Sequence, residues 1–146
     1  MAAAQQKLPG KLGEIQATME ADAAEIKKIE AEYTKIYGAR QNLIEKKNEN
    51  EMVLSEINFM DADAHVYKLV GPILAKQEVV EAKGNVEKRI EFITKEIERM
   101  DKLEVDFQAK IDEKRKNMMK LQEDFKRIVM QAQQQQQQQT AQQQQQ

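Results

Sequence analysis

From Leu12 onward the sequence sets a seam-type position every three then four residues without a slip: Leu12, Ile15, Met19, Asp22, Ile26, Ile29, Tyr33, Ile36, Arg40, Leu43, Lys47, Asn50, Leu54 and Ile57. Most of these are apolar. A repeat of about 3.5 residues, kept over about seven heptads, stays on one helical face only if the helix supercoils against a partner. The spacing predicts a coiled-coil helix over 11–58. A second, cleaner series reads Val86, Ile90, Ile93, Ile97, Met100, Glu104, Phe107, Ile111, Lys114, Met118, Leu121, Phe125 and Ile128, polar only at Glu104 and Lys114. It predicts a second coiled-coil helix over 78–130. Acid-before-base pairs four residues apart, such as Glu91 with Lys95 and Asp112 with Lys116, suit solvated helix surfaces.

Composition agrees with burial along a seam rather than in a compact core, since 33% of residues are charged, 5% are aromatic and Trp is absent. A net charge of -2 supplies no global basic field of the kind that draws a chain to nucleic acid or anionic lipid. The lack of Cys removes any disulfide framework or thiolate metal site and fits a reducing compartment. No stretch has the length and apolarity of a membrane span, and Met1 to Gly10 lacks the apolar core of a signal peptide. The expectation is a cytoplasmic protein with a flexible N-terminus over 1–10.

Between the two series the helical period stops. Ala64 to Lys76 reads AHVYKLVGPILAK, with β-branched and aromatic residues on either side of Gly71-Pro72. Pro72 has no amide hydrogen and a fixed φ, which suits a turn, whereas Val66, Tyr67, Leu69, Val70, Ile73 and Leu74 suit short strands. A β-hairpin within 64–76, pairing 65–70 with 73–76, follows. Past Met130 the chain is glutamine except at Ala132, Thr140 and Ala141. Such a segment has little apolar surface to offset the entropy of ordering, so a disordered tail is expected over 131–146.

A hairpin reverses the chain, so the predicted fold class is all-α dominated: a long antiparallel α-helical coiled coil joined by a single β-hairpin. Charge agrees with the fold-back, because residues 11–36 are acidic on balance and 107–128 basic. With a positions facing d positions, partner numbers sum to about 140 or about 147, and both registers stay open. Arg40 and Glu104, long charged side chains that interrupt apolar stretches, fall in adjacent layers in either register and are expected to pair.

Candidate chemistry is sparse. With a single histidine, His65, and no Cys, one chain cannot assemble a zinc cluster or a histidine-based catalytic dyad. Glycines at 10, 13, 38, 71 and 84 form no phosphate-binding pattern. No catalytic residue, cofactor or metal is assigned. The basic cluster Lys114, Arg115 and Lys116 lies among Asp112, Glu113 and Glu123 and reads as a solvated face.

Two surfaces stand out instead. An isolated two-stranded hairpin is marginal in water and has two unpaired edges, so Val66, Tyr67, Lys68, Leu69, Val70, Gly71, Pro72, Ile73 and Leu74 are expected to assemble with strands from other chains. At the far end, Leu12, Ile15, Met19, Met118, Leu121, Phe125 and Ile128 meet where the helices fray. That tip offers a flexible, Met-containing surface to apolar segments of an unfolded chain.

Three local segments then carry a resemblance. Glu49-Asn50-Glu51-Met52-Val53-Leu54-Ser55-Glu56-Ile57, Val66-Tyr67-Lys68-Leu69-Val70-Gly71-Pro72-Ile73-Leu74-Ala75-Lys76-Gln77 and Asn85-Val86-Glu87-Lys88-Arg89-Ile90-Glu91-Phe92-Ile93 are similar to eukaryotic β-type prefoldin subunits. Ala75 stands where a Val is usual, Gly84 is unusual at the start of the second helix, and the Gln tail has no family counterpart. The resemblance implies a heterohexamer of α-type and β-type subunits whose hairpins form a double barrel and whose coiled coils project as arms. It further implies ATP-independent capture of unfolded clients such as actin and tubulin, with delivery to the cytosolic group II chaperonin. A structural coiled-coil adaptor is the rival reading; it accounts for the heptads but not for the hairpin. A coiled-coil nucleic-acid factor would need a continuous basic helix before a zipper, which the sequence lacks.

Overall fold

A computed structural model describes residues 7–143 and contains four elements: α1 (Lys7–Phe59), β1 (Val66–Val70), β2 (Ile73–Gln77) and α2 (Val79–Gln143). Helix α1 begins at Lys7, ahead of the expected residue 11. Pro9 is no obstacle there, since amides in the first turn of a helix have no intrahelical acceptor to lose. Residues 1–6 of the expected flexible N-terminus lie outside the described residues, and 7–10 are helical.

At the other end of α1, the amide of Met60 donates to Ile57 O at 3.4 Å, and Ala64 N donates to Asp61 O at 3.0 Å, turning the chain into β1. Glu78 O receives the amide of Ala82 at 2.9 Å to open α2, with Glu81 in the first turn, where the helix dipole favours a carboxylate.

Helix α2 differs from expectation at its C-terminal end. The glutamine segment is helical as far as Gln143, where composition predicts disorder from residue 131. Gln is among the better helix formers, Ala132 and Ala141 are better still, and neither Gly nor Pro interrupts the run. Thr140 Oγ1 donates to the carbonyl of Gln136 at 2.8 Å, and nearly every side chain in the segment is exposed. Propensity alone carries this stretch of helix, a contribution that apolar burial does not register.

The chain divides into two compact units, Tyr33–Val105 and the segments on either side of it, up to Glu32 and from Asp106 onward. In the first unit the seam residues of α1 from Tyr33 to Ile57 pack with those of α2 from Val86 to Glu104. Ala82, Val86 and Ile93 are buried and the rest are half-buried. In the second unit Leu12 to Ile29 pack with Phe107 to Ile128, and Ile111 is the most buried residue at 4% exposure. None of the positions in the two heptad series is solvent-exposed.

Cross-helix ion pairs form within each unit. Arg40 meets Asp101 and Glu104, Lys114 meets Asp22 and Glu25, and Arg115 Nη2 donates to Glu30 Oε1 at 3.0 Å. Their partner numbers sum to between 136 and 145, on average nearer 140 than 147. Two of the three cations come from the basic stretch 107–128 and take partners in the acidic stretch 11–36, the complementarity that the charge distribution implied.

Candidate functional site

The hairpin is built on a two-residue turn. β1 and β2 pair antiparallel in the register Val66 with Gln77, Tyr67 with Lys76, Lys68 with Ala75, Leu69 with Leu74, and Val70 with Ile73. Gly71 takes φ +58 and Pro72 is held at negative φ by its ring, the order of signs a type II′ hairpin turn requires. Glycine enters that left-handed region without the Cβ clash that most other residues meet, which is why the turn begins on glycine.

Side chains alternate between faces, so Tyr67, Leu69, Leu74 and Lys76 share one side, and Val66, Lys68, Val70, Ile73, Ala75 and Gln77 the other. Only Val66 and Gln77, where the strands leave the helices, are half-buried. Tyr67, Leu69, Val70, Ile73 and Leu74 are 54–69% exposed. The sheet has two strands, so both outer edges present unpaired backbone donors and acceptors beside apolar side chains. Such a hairpin is incomplete by itself.

In the other unit the expected tip residues occupy two kinds of position. Met19, Met118 and Phe125 line an open apolar groove with Gln16, Glu20, Ala23, Gln122 and Lys126. Leu12, Ile15, Leu121 and Ile128 are half-buried in the seam and do not line it. Sequence reasoning missed Gln16, Glu20, Ala23, Gln122 and Lys126 in this groove, of which Ala23 alone is apolar. A small residue next to seam position 22 leaves room for the groove, a signal that a heptad count by itself does not carry.

The charged seam positions are satisfied locally. Arg40 Nε donates to Asp101 Oδ1 at 2.5 Å and lies 3.8 Å from Glu104 Oε2. Asp101 is thus the nearer partner of Arg40, and it escaped the sequence reading because it sits one residue off the heptad position at Met100. Its hydrogen bond raises the Arg40 pKa above the ordinary arginine value, against a smaller opposing effect of burial. Lys114 Nζ donates to Asp22 Oδ1 at 3.0 Å and also pairs with Glu25; hydrogen bonds to Glu25 and Asp22 raise its pKa in the same way. Asp22 is only 16% exposed in its side chain. Among the described residues no group of His, Cys, Asp and Glu is placed to hold a metal ion, and His65 is exposed. No helix among them is long and apolar enough to cross a membrane.

The architecture is that of a hairpin-linked antiparallel coiled coil, a class defined by two long helices and one exposed two-stranded hairpin. Comparison with known proteins places the chain within this class. Residues 20–125 match the family model described as prefoldin subunit. Prefoldin subunit 6 of Arabidopsis thaliana is 40% identical over 110 residues, covering 75% of this chain and 85% of the relative. Prefoldin subunit 6 of Homo sapiens is 32% identical over 113 residues, covering 77% and 88%. The crystal structure of the prefoldin beta subunit from Thermococcus strain KS-1 superposes with a TM-score of 0.67 at 20% identity, over 70% of this chain and 90% of that one.

This chain belongs to the prefoldin subunit family. It is a co-chaperone subunit, with the two-helix and hairpin fold of the β type.

Proposed function

We propose that this chain works inside a heterohexamer of α-type and β-type prefoldin subunits in the cytoplasm, where it captures unfolded or nascent proteins between coiled-coil arms. Membership of a subunit family carries assembly with other prefoldin subunits. In this reading the assembling surface is the hairpin from Val66 to Leu74, with Tyr67, Leu69 and Leu74 on one face and Val70 and Ile73 on the other. The observation that carries it is five exposed apolar side chains on a two-stranded sheet with both edges open. Strands from neighbouring subunits would bury these groups and complete their hydrogen bonding.

Clients bind at the seam of the second unit, where Met19, Met118 and Phe125 form the groove and Leu12, Ile15, Leu121 and Ile128 become available as the end frays. Met is flexible and polarizable, and a surface that repacks suits clients of many sequences. Capture of this kind requires no nucleotide, and delivery of actin or tubulin to the cytosolic group II chaperonin is the transfer step. The test is aggregation of chemically denatured actin in the presence of the assembled complex. Met19→Ser with Met118→Ser and Phe125→Ser in this subunit is expected to reduce suppression while leaving the complex assembled. Unchanged suppression by an intact variant complex contradicts the placement of the client surface.

A further inference from the structure

Within the unit Tyr33–Val105, two hollows share Lys88 and Arg89, and only the first reaches the assembling hairpin. The first includes Tyr67, Lys68, Leu69 and Asn85 and ends at Lys88 and Arg89; the second continues from those two cations to Lys46, Asn50, Phe92 and Ile93. No carboxylate lines either hollow, in a chain with 25 acidic and 23 basic residues. Among the described residues Lys46, Lys68, Lys88 and Arg89 form no ion pair. Of the nearby acids, Glu51 lies 3.7 Å from Lys47 and Glu91 accepts from Lys95 at 2.8 Å, and Glu45, Glu49 and Glu87 line neither hollow. Phe92, which lines the second hollow with Lys46, Lys88 and Arg89, is 65% exposed.

In the second hollow, which holds no hairpin residue, three uncompensated cations, Lys46, Lys88 and Arg89, around the exposed Phe92 form a surface whose complement is negative at the rim and apolar at the centre. We propose that this face docks an acidic, extended segment of a partner protein. Its carboxylates meet Lys46, Lys88 and Arg89, and an aliphatic or aromatic side chain rests on Phe92. Arg89 offers a planar fork suited to a carboxylate, and the two lysines supply charge with freer geometry. A nucleic-acid strand fits less well: the exposed Phe92 would lie against phosphate, and the net charge of -2 provides no steering field. The surface shares no residue with the apolar groove of the other unit and needs no client there.

The test uses the assembled complex containing this chain and two fluorescein-labelled peptides, one alternating Glu and Leu, the other alternating Gln and Leu, followed by anisotropy at low salt. The acidic peptide binds, and the Gln version binds at least about tenfold more weakly. Lys46→Glu with Lys88→Glu and Arg89→Glu weakens the acidic peptide by about tenfold or more, whereas the same charge change at the exposed Lys27, Lys28 and Lys120 changes binding by less than about twofold. Phe92→Ala, which leaves the charge unaltered, weakens it about fivefold. Native mass spectrometry checks that each variant complex is whole; if the triple glutamate variant does not assemble, Lys46→Gln with Arg89→Gln replaces it. Equal losses in the site and control variants, or no effect of Phe92→Ala, overturn the proposal in favour of a diffuse field. Tighter binding of a single-stranded oligonucleotide of matched charge overturns the choice of partner. Failure of the wild-type complex to bind the acidic peptide overturns docking at this face.

Discussion

Single residues set the strict requirements of this chain, and Gly71 is the most demanding. At φ +58 a side chain meets backbone sterics whatever space surrounds it, so Gly71→Ala is expected to destabilise the hairpin by about 1–2 kcal/mol. Thermal dissociation of the assembled complex measures this; an unchanged midpoint contradicts the turn geometry. Lys114 is the second such residue. Asp22 is largely enclosed in the seam and relies on this cation, so Lys114→Met leaves a carboxylate unpartnered in an apolar layer and lowers the melting temperature of the coiled coil. The sign with pH follows from the raised Lys114 pKa. Below the unfolded lysine value the pairing contributes fully, and it is lost as pH rises through the folded value. The stability gap between wild type and Lys114→Met should therefore narrow in alkaline melts above the ordinary lysine pKa; a gap that widens there contradicts the assignment.

At the scale of elements, both helices, the hairpin and its turn are legible in the amino-acid sequence, because two periods and one Gly-Pro pair mark them. No position of the heptad series is fully exposed: even its polar members Asp22, Arg40, Lys47, Asn50, Glu104 and Lys114 are half-buried. Less legible are features outside the repeat. Asp101 reaches Arg40 from a position flanking the seam, and Ala23 shapes a groove through what it lacks. The glutamine helix escapes a reading based on burial because propensity holds it. Truncation after Met130 is accordingly expected to reduce the helical circular-dichroism signal by roughly a tenth, the segment's share of the helical residues. No loss of signal would return the tail to coil. For the hairpin, Tyr67→Asp with Leu69→Asp puts two charges on one exposed face without touching the seam. The variant chain should keep its helical signal and be excluded from the complex; incorporation at wild-type levels contradicts the assembly surface.

For the molecule as a whole, the distribution of burial states what the chain is for. Only Ala82, Val86, Ile93 and Ile111 are buried among the described residues, while large apolar groups on the hairpin remain open to water. A chain with so small an enclosed core and so much apolar surface at its strands is one part of a larger body, as membership of the prefoldin subunit family entails. Everything proposed for this chain depends on assembly, and native mass spectrometry of the chain purified through an affinity tag from its own cells reads that out without intermediaries. The expected species is a six-subunit complex in which this chain is joined by five different companions. A homodimer or a lone monomer of this chain would contradict it.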